Sequence, residues 1–338
     1  KITTSPPIMK KTLKFALSAS LATTAFSAQP ADHLVFEPSG KANGKHVVLI
    51  SGDEEYRSEE SMPMLAQLLA AQGFKATVLF SLDAHGIVTP ENGGNLSHSK
   101  SLDEADAIVM CIRFRHWEDA SMERFEAALN RGVPIVALRT STHAFKFPAD
   151  SKWAKYNFNA KADSGWEKGF GRQVLGETWV NHHGRHKVEG TRSVVESTNE
   201  AHPPLNGVGT IFGTSDVYGA DPLQPSTILL RGEVTQTLDP KSPAVKGKKN
   251  SPMMPIAWTR EFKNSGKKPN RIFTTTMGAA TDLSDENLRR LVINGVYWGL
   301  DRPVPAKADV TIPCAWNPTK YSFLTNKKGL EPADSIVK

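Results

Sequence analysis

His46-Val47-Val48-Leu49-Ile50, followed by Ser51-Gly52-Asp53-Glu54-Glu55-Tyr56-Arg57-Ser58-Glu59-Glu60, decides the fold. A short, nearly unbroken apolar run fits a strand covered on both faces. The charged stretch behind it cannot be core, so the chain leaves the sheet there. A helix is expected next. Ser61 serves as its cap, Pro63 falls in its first turn, Leu65, Leu68 and Leu69 form its buried stripe, and Gly73 closes it. Further strands are expected over 76–80, 107–112 and 133–138, with a helix over about 121–130. Strand, helix and strand joined by short connections predict an α/β fold with a mostly parallel sheet and helices on both faces. Later strands fall at 192–196, 227–230, 256–259 and 271–276, and a closing helix at about 285–300. Residues 144–190 lack periodicity and read as a long excursion over one end of the sheet. Residues 301–338 read as an irregular extension whose Trp316, Tyr321 and Phe323 pack back on the domain.

At the other end, Lys10, Lys11 and Lys14 precede an apolar stretch from Phe15 to Ala25, then Phe26-Ser27-Ala28. A basic start, a short apolar core and small residues at a cleavage position predict a secretory signal peptide over 1–28, and so export to the periplasm or beyond. The formal charge of the 338 residues is +6. Four lysines and no acid lie in 1–27, so the remainder carries +2. That balance gives no reason to expect nucleic acid or a membrane surface as partner. The two cysteines, Cys111 and Cys314, exclude a disulfide scaffold and a cysteine-based zinc site, while leaving one bridge open.

Ligands of open parallel sheets bind beyond the carboxyl ends of the strands. Three successive loops there carry acids, arginines and imidazoles: 51–60, then Arg113-Phe114-Arg115-His116-Trp117, then Arg139-Thr140-Ser141-Thr142-His143. Arginine offers fixed parallel donors and carboxylates accept hydroxyls, which suits a polyhydroxylated small molecule. Asp53, Arg57, Arg113, Arg115, His116, Arg139, Thr140 and His182 are therefore the expected binding residues, with Glu55 and His143 as an acid–base pair and His183 as a further catalytic candidate. Trp117, Trp166 and Trp179 offer flat faces for a sugar ring. His182, His183 and His186 form a second cluster. It permits a divalent metal such as zinc, although Gly184 breaks helical presentation and no HExxH pattern or suitably spaced acid accompanies it. The turn 139–142 forms neither a GxSxG elbow nor a cysteine-based one, while Ser141 and Thr140 near His143 leave a hydroxyl–imidazole pair open.

Residues 47–79 and 133–145, then His202-Pro203-Pro204-Leu205-Asn206-Gly207, Ser215-Asp216-Val217-Tyr218, and Pro255-Ile256-Ala257-Trp258 with the closing helix, resemble the ThuA-like (trehalose utilisation) family over about 45–300. The resemblance implies a three-layer α/β/α sandwich, flavodoxin-like and akin to the class I glutamine amidotransferase fold, in a protein of carbohydrate metabolism. It adds Asp216 and Tyr218 to the binding set and points to a sugar, a glycoside or an oxidised (3-keto) disaccharide as substrate. If the chain is an enzyme, it is of hydrolase or lyase type; the alternative is a carbohydrate-binding accessory protein without turnover. Typical members carry Gly-Leu-His after the fourth core strand, where this chain has Leu138-Arg139. They often carry Gly-His after the late strand, where it has Met277-Gly278-Ala279-Ala280-Thr281-Asp282. His143, His182 and His183 are the imidazoles left to take those places.

Overall fold

The computed structural model describes residues 31–266, 268–312 and 316–337. The expected signal peptide and Cys314 lie outside them. The partner-candidate Cys111 is buried in the sheet. The described residues form one sheet of ten strands: β1 (His33–Phe36), β2 (His46–Gly52), β3 (Lys75–Leu79), β4 (Ala107–Ile112), β5 (Ile135–Leu138), β6 (Thr191–Val195), β7 (Phe212–Gly213), β8 (Thr227–Val234), β9 (Met254–Phe262) and β10 (Asn270–Thr275). Three α-helices accompany them: α1 (Ser58–Ala71), α2 (Asp119–Asn130) and α3 (Glu286–Gly299).

The strand order is β1-β3-β2-β4-β5-β10-β9-β8-β6-β7. Its centre, β3-β2-β4-β5-β10, is parallel throughout. Both flanks are antiparallel: β1 pairs with β3, and β9, β8, β6 and β7 follow β10. The connection between β9 and β10 shows why. Residues 263–269 are too few for a crossover, which takes roughly a dozen or more, so the two strands turn back on each other. The chain reverses its direction of travel across the sheet at β2, which has β3 on one side and β4 on the other. Such a switch point opens a crevice at the carboxyl ends of the strands.

Period-two alternation sorts the central strands between two cores. Val47, Leu49, Val78, Val109, Val136 and Phe273 face α1 and α3. Val48, Ile50, Ile108, Met110, Ile112 and Ala137 face α2 and a group of large side chains, Phe145, Tyr156, Phe170 and Leu175. The second group corrects the sequence reading of 144–190. Its first part does not lie over the sheet end; it fills the face beside α2, where Phe145 and Phe170 stand 5.3 Å apart edge to face. Gly171 permits this, because an added Cβ would meet the Thr142 carbonyl oxygen at 2.0 Å.

The start of α1 also differs from expectation. Asp53 Oδ1 accepts the amides of Glu55, at 2.8 Å, and Tyr56, and Ser58 Oγ accepts the Asp53 amide at 3.0 Å. That folded loop brings the helix start forward to Ser58, with Arg57 at the cap in the left-handed region at φ 61°. Pro63 therefore sits inside the helix rather than in its first turn, and the Glu59 carbonyl loses its usual donor.

Glu59 itself is buried and neither carboxylate oxygen has a hydrogen-bond partner; Arg57 Nη1 lies 3.4 Å away without bonding geometry. Burial pushes its carboxyl up to about 7, against the attraction of Arg57. The folded state thus holds a proton that the unfolded chain releases near pH 4.5, so this group costs stability progressively as pH rises from about 4.5 to about 7. Glu59→Gln is expected to remove that slope and to be at least as stable as wild type at pH 8. Denaturant midpoints at pH 5 and pH 8 measure it; an unchanged slope in the variant would refute the assignment.

Candidate functional site

The loops that leave β2, β4 and β5 meet two more that the antiparallel flank brings in: 181–187 before β6, and 214–219 after β7. The last two are zipped together. His183 and Gly184 amides both donate to the Val217 carbonyl at 2.9 Å, and Gly219 donates to Asn181 at 3.0 Å. Gly184 makes the approach possible, since a Cβ there would stand 3.0 Å from that of Asp216. Arg57, Phe114, Arg139 and Lys187, one in each of four site loops, have left-handed backbones. Each such residue costs of order 1–3 kcal/mol and persists only where the surroundings over-determine it.

Asp216 is the centre. It is fully buried, and its Oδ1 receives Arg139 Nη2 at 2.9 Å and His186 Nδ1 at 3.0 Å. Its Oδ2 receives His182 Nδ1 at 2.7 Å. Burial alone would raise the Asp216 carboxyl, but Arg139 and the two imidazole hydrogen bonds hold it well below the usual carboxylate range. An ionised carboxylate only accepts, so both imidazoles present Nδ1–H to it. His186 Nε2 faces a second carboxylate, Glu55 Oε1, at 2.9 Å. With both nitrogens donating, His186 is an imidazolium, and these bonds, outweighing its burial, raise it to about 9. His182 is different. Its Nε2 has no protein partner among the described residues and its side chain is 35 % exposed, so an unshared nitrogen backed by a buried carboxylate faces solvent.

Arg139 occupies the sharp turn after β5, where many α/β enzymes carry a nucleophile. Its wholly buried guanidinium also donates to the Asp216 and Thr276 carbonyls at 2.6 and 2.8 Å and to Tyr56 Oη at 3.1 Å. It lies 3.7 Å from the Tyr218 ring centroid. It is a structural cation, not a reacting group. Arg113 and Arg115 grip Glu54, each at 3.0 Å. Burial and the neighbouring Asp53 nevertheless push the Glu54 carboxyl up to about 7. Arg113 is flanked by the rings of Phe114 and Phe323, both 4.7 Å from its guanidinium carbon.

The remaining expected residues divide. Glu55 belongs to the site through His186. His143 is adjacent but sealed, buried among the rings of Phe114, Trp179 and Tyr218, with Nδ1 3.2 Å from Thr142 Oγ1. Burial, reinforced by Arg113 and Arg139, holds it well below the ordinary histidine range, so it is a neutral wall residue rather than an open acid–base partner for Glu55. His183 turns away and its Nε2 contacts the Lys249 carbonyl at 2.8 Å, which removes it from both the catalytic and the metal sets. His116 is exposed and lies against Gly93 instead. Asp53, Arg57 and Thr140 are buried scaffolding of the loops. Of the three tryptophans, Trp117 is core, Trp166 packs on Tyr156, and Trp179 stands half-exposed beside His182.

The acid missing from the histidine cluster is Asp216, thirty residues downstream. Its carboxylate and the imidazoles of His182 and His186 lie within 4.8 Å of one another, a nitrogen–nitrogen–oxygen set of the kind divalent transition ions accept, with Glu55 behind His186. Arg139 already shares that carboxylate, so an ion would have to compete with a fixed cation.

A family model described as trehalose utilisation (ThuA) matches residues 46–299. No curated protein matches the sequence. Among solved structures, a ThuA-like protein from Parabacteroides merdae is 14 % identical with a TM-score of 0.51, over 77 % of this chain and 92 % of that one. A ThuA-like protein from Bacteroides uniformis is 15 % identical with a TM-score of 0.47, over the same shares. At these identities the likeness bears on the fold alone, and the first of the two carries it.

Removing one member of a buried ion pair leaves the other unpaired at a cost of about 3–5 kcal/mol. Arg139→Met is expected to lose roughly that much stability in urea, and Asp216→Asn in the Arg139→Met background to recover part of it. Additive losses in the double variant would mean that the two residues act independently.

Proposed function

The chain belongs to the ThuA family, and from that membership we propose that it acts on a carbohydrate at the Asp216–His182 site, with His182 as general base. The observation that carries the reading is the solvent-facing Nε2 of an imidazole whose Nδ1 is held at 2.7 Å by a buried, ionised aspartate. That is the arrangement by which a carboxylate fixes the tautomer and orientation of a working histidine. The charged pairs around it suit hydroxyl recognition, and Trp179 offers a flat face.

In the turn after β5 the Ser141 and Thr142 hydroxyls donate to the Met110 and Arg139 carbonyls, at 2.9 and 3.3 Å, and Thr140 is buried against Cys111, which favours proton abstraction over a covalent intermediate. An oxidised glycoside with a ketone at C3 is the fitting substrate class, because its C2 proton is acidic. His182 takes that proton; the carbon–hydrogen pair becomes the C1–C2 double bond, and the glycosidic C1–O bond breaks toward the departing alcohol. The leaving oxygen then takes up a proton, so the step is a balanced elimination without an added oxidant. Arg113, 4.0 Å from Glu55, is the partly exposed cation available to a developing enolate. An unoxidised glycoside lacks the acidic proton and does not react this way.

The architecture belongs to the same reading: a three-layer α/β/α sandwich, flavodoxin-like and related to the class I glutamine amidotransferase fold. The order of the parallel strands and the two separate cores support it. Export through the leader at 1–28 places the protein where extracellular or periplasmic sugars are met. A second reading, binding without turnover, draws on the closed charge balance of Asp216, Glu55, Arg139 and His186, which leaves one open imidazole.

His182→Gln is expected to lower turnover of a 3-keto glycoside by roughly 10²–10⁴-fold with the fold intact. Product formation by wild type, followed by chromatography, separates the two readings. Saturable binding with no product from any oxidised glycoside would favour the accessory role.

A further inference from the structure

The family match ends at residue 299, yet part of the site wall comes from beyond it. Arg57, fully buried at the head of α1, spends its guanidinium on main-chain carbonyls: Glu54 and Glu55 in the β2 loop, at 2.9 and 3.2 Å, and Ser322 in the C-terminal extension, at 2.6 Å. One cation therefore ties the loop carrying Glu55 to the extension. Tyr321 Oη donates to the Thr214 carbonyl at 2.8 Å, Lys187 Nζ to Ser322 Oγ at 3.0 Å, and Thr319 to both oxygens of Glu60. These are fixed anchors, not those of a loose tail.

The Tyr321 ring so held stands 5.8 Å from that of His186 and 4.8 Å from that of Tyr56. Its other side borders a cleft of about 270 Å³ lined by Lys187, Thr214, Leu238, Thr281, Lys320 and Tyr321. Leu238 is 37 % exposed there, an apolar side chain without cover. An apolar floor of leucine and tyrosine ring, rimmed by hydroxyl and ammonium donors, matches the two aspects of a pyranose: its C–H face and its hydroxyl edge. The volume lies near the lower end of small-molecule sites, which run from roughly 300 Å³ upward, and so fits one ring rather than a polymer.

We propose that the cleft between the C-terminal extension and loops 187, 214, 238 and 281 is the subsite for the second sugar of a disaccharide, the first being held at His182. Resting on the carbohydrate reading above, the proposal makes the extension, which lies outside the family match, the part of this chain that selects disaccharides over simple glycosides. Tyr321 is the partition between the two subsites and Leu238 the floor of the second.

Leu238→Arg fills the cleft from an exposed position, and Lys320→Ala trims its rim; neither side chain is in the core. Binding of 3-keto-trehalose and of methyl 3-keto-α-glucoside is measured by calorimetry for wild type, both variants and His182→Gln. The expected result is a Kd for the disaccharide at least tenfold weaker in Leu238→Arg and several-fold weaker in Lys320→Ala, with the methyl glycoside unchanged in both. Equal effects on the two ligands, no effect on either, or a wild type that binds both alike would overturn the subsite. Failure of the wild type to bind either sugar would overturn subsite and carbohydrate reading together. Full turnover by His182→Gln with the subsite effects intact would overturn only the base assignment.

Discussion

The buried pair of Arg139 and Asp216 is the contact on which the site depends. Arg139 leaves the end of β5 through a left-handed turn; Asp216 arrives from the antiparallel flank, seventy-seven residues later. Neither charge has water to fall back on, so each requires the other. Once they are joined, the remaining groups follow from donor–acceptor logic. The guanidinium also holds the carbonyls of Asp216 and Thr276, which fixes three strand ends relative to one another. The carboxylate has lone pairs left for two imidazoles, and it orients both by their Nδ1 atoms. Glu55 then completes His186, and His182 alone keeps an open nitrogen.

The same pair explains why this site differs from the pattern the family resemblance led us to expect. An arginine stands after β5 in place of Gly-Leu-His, and the turn after β10 carries Asp282 rather than an imidazole. Asp282 is not idle: its carboxylate receives the amides of Ser215, Gly278 and Ala279, at 2.9–3.1 Å, and the Ser215 hydroxyl. It therefore positions the segment immediately before Asp216. The imidazoles of this site come from the 182–186 loop, and Arg139 and Asp282 build the frame that holds them.

Much of the parallel half was legible because its strands are short apolar runs separated by polar loops, a signal that needs no tertiary information. The loops after β2, β4 and β5 were likewise readable as a shared edge, since topology alone puts them together. What was not legible depends on contacts distant in sequence. The acid for His182 and His186 comes from a loop distant in sequence that meets theirs at a β-bridge between His182 and Tyr218. His183 is adjacent in sequence but lies in the bend that follows the bridge, and it points to Lys249. The early start of α1 followed from side-chain bonds of Asp53 and Ser58, which act before helix periodicity is visible. The extension carried aromatic residues, but nothing in its composition signalled that Ser322 would meet a buried arginine.

The central claim is that Asp216 fixes His182 as an Nδ1–H imidazole with a free Nε2 lone pair, beside an imidazolium at His186. Two-bond nitrogen–proton NMR correlations of the histidine rings report tautomer and charge directly. At pH 8 the account predicts a neutral Nδ1–H pattern for His182 and a doubly protonated ring for His186. An Nε2–H tautomer at His182, or a neutral His186, would contradict it.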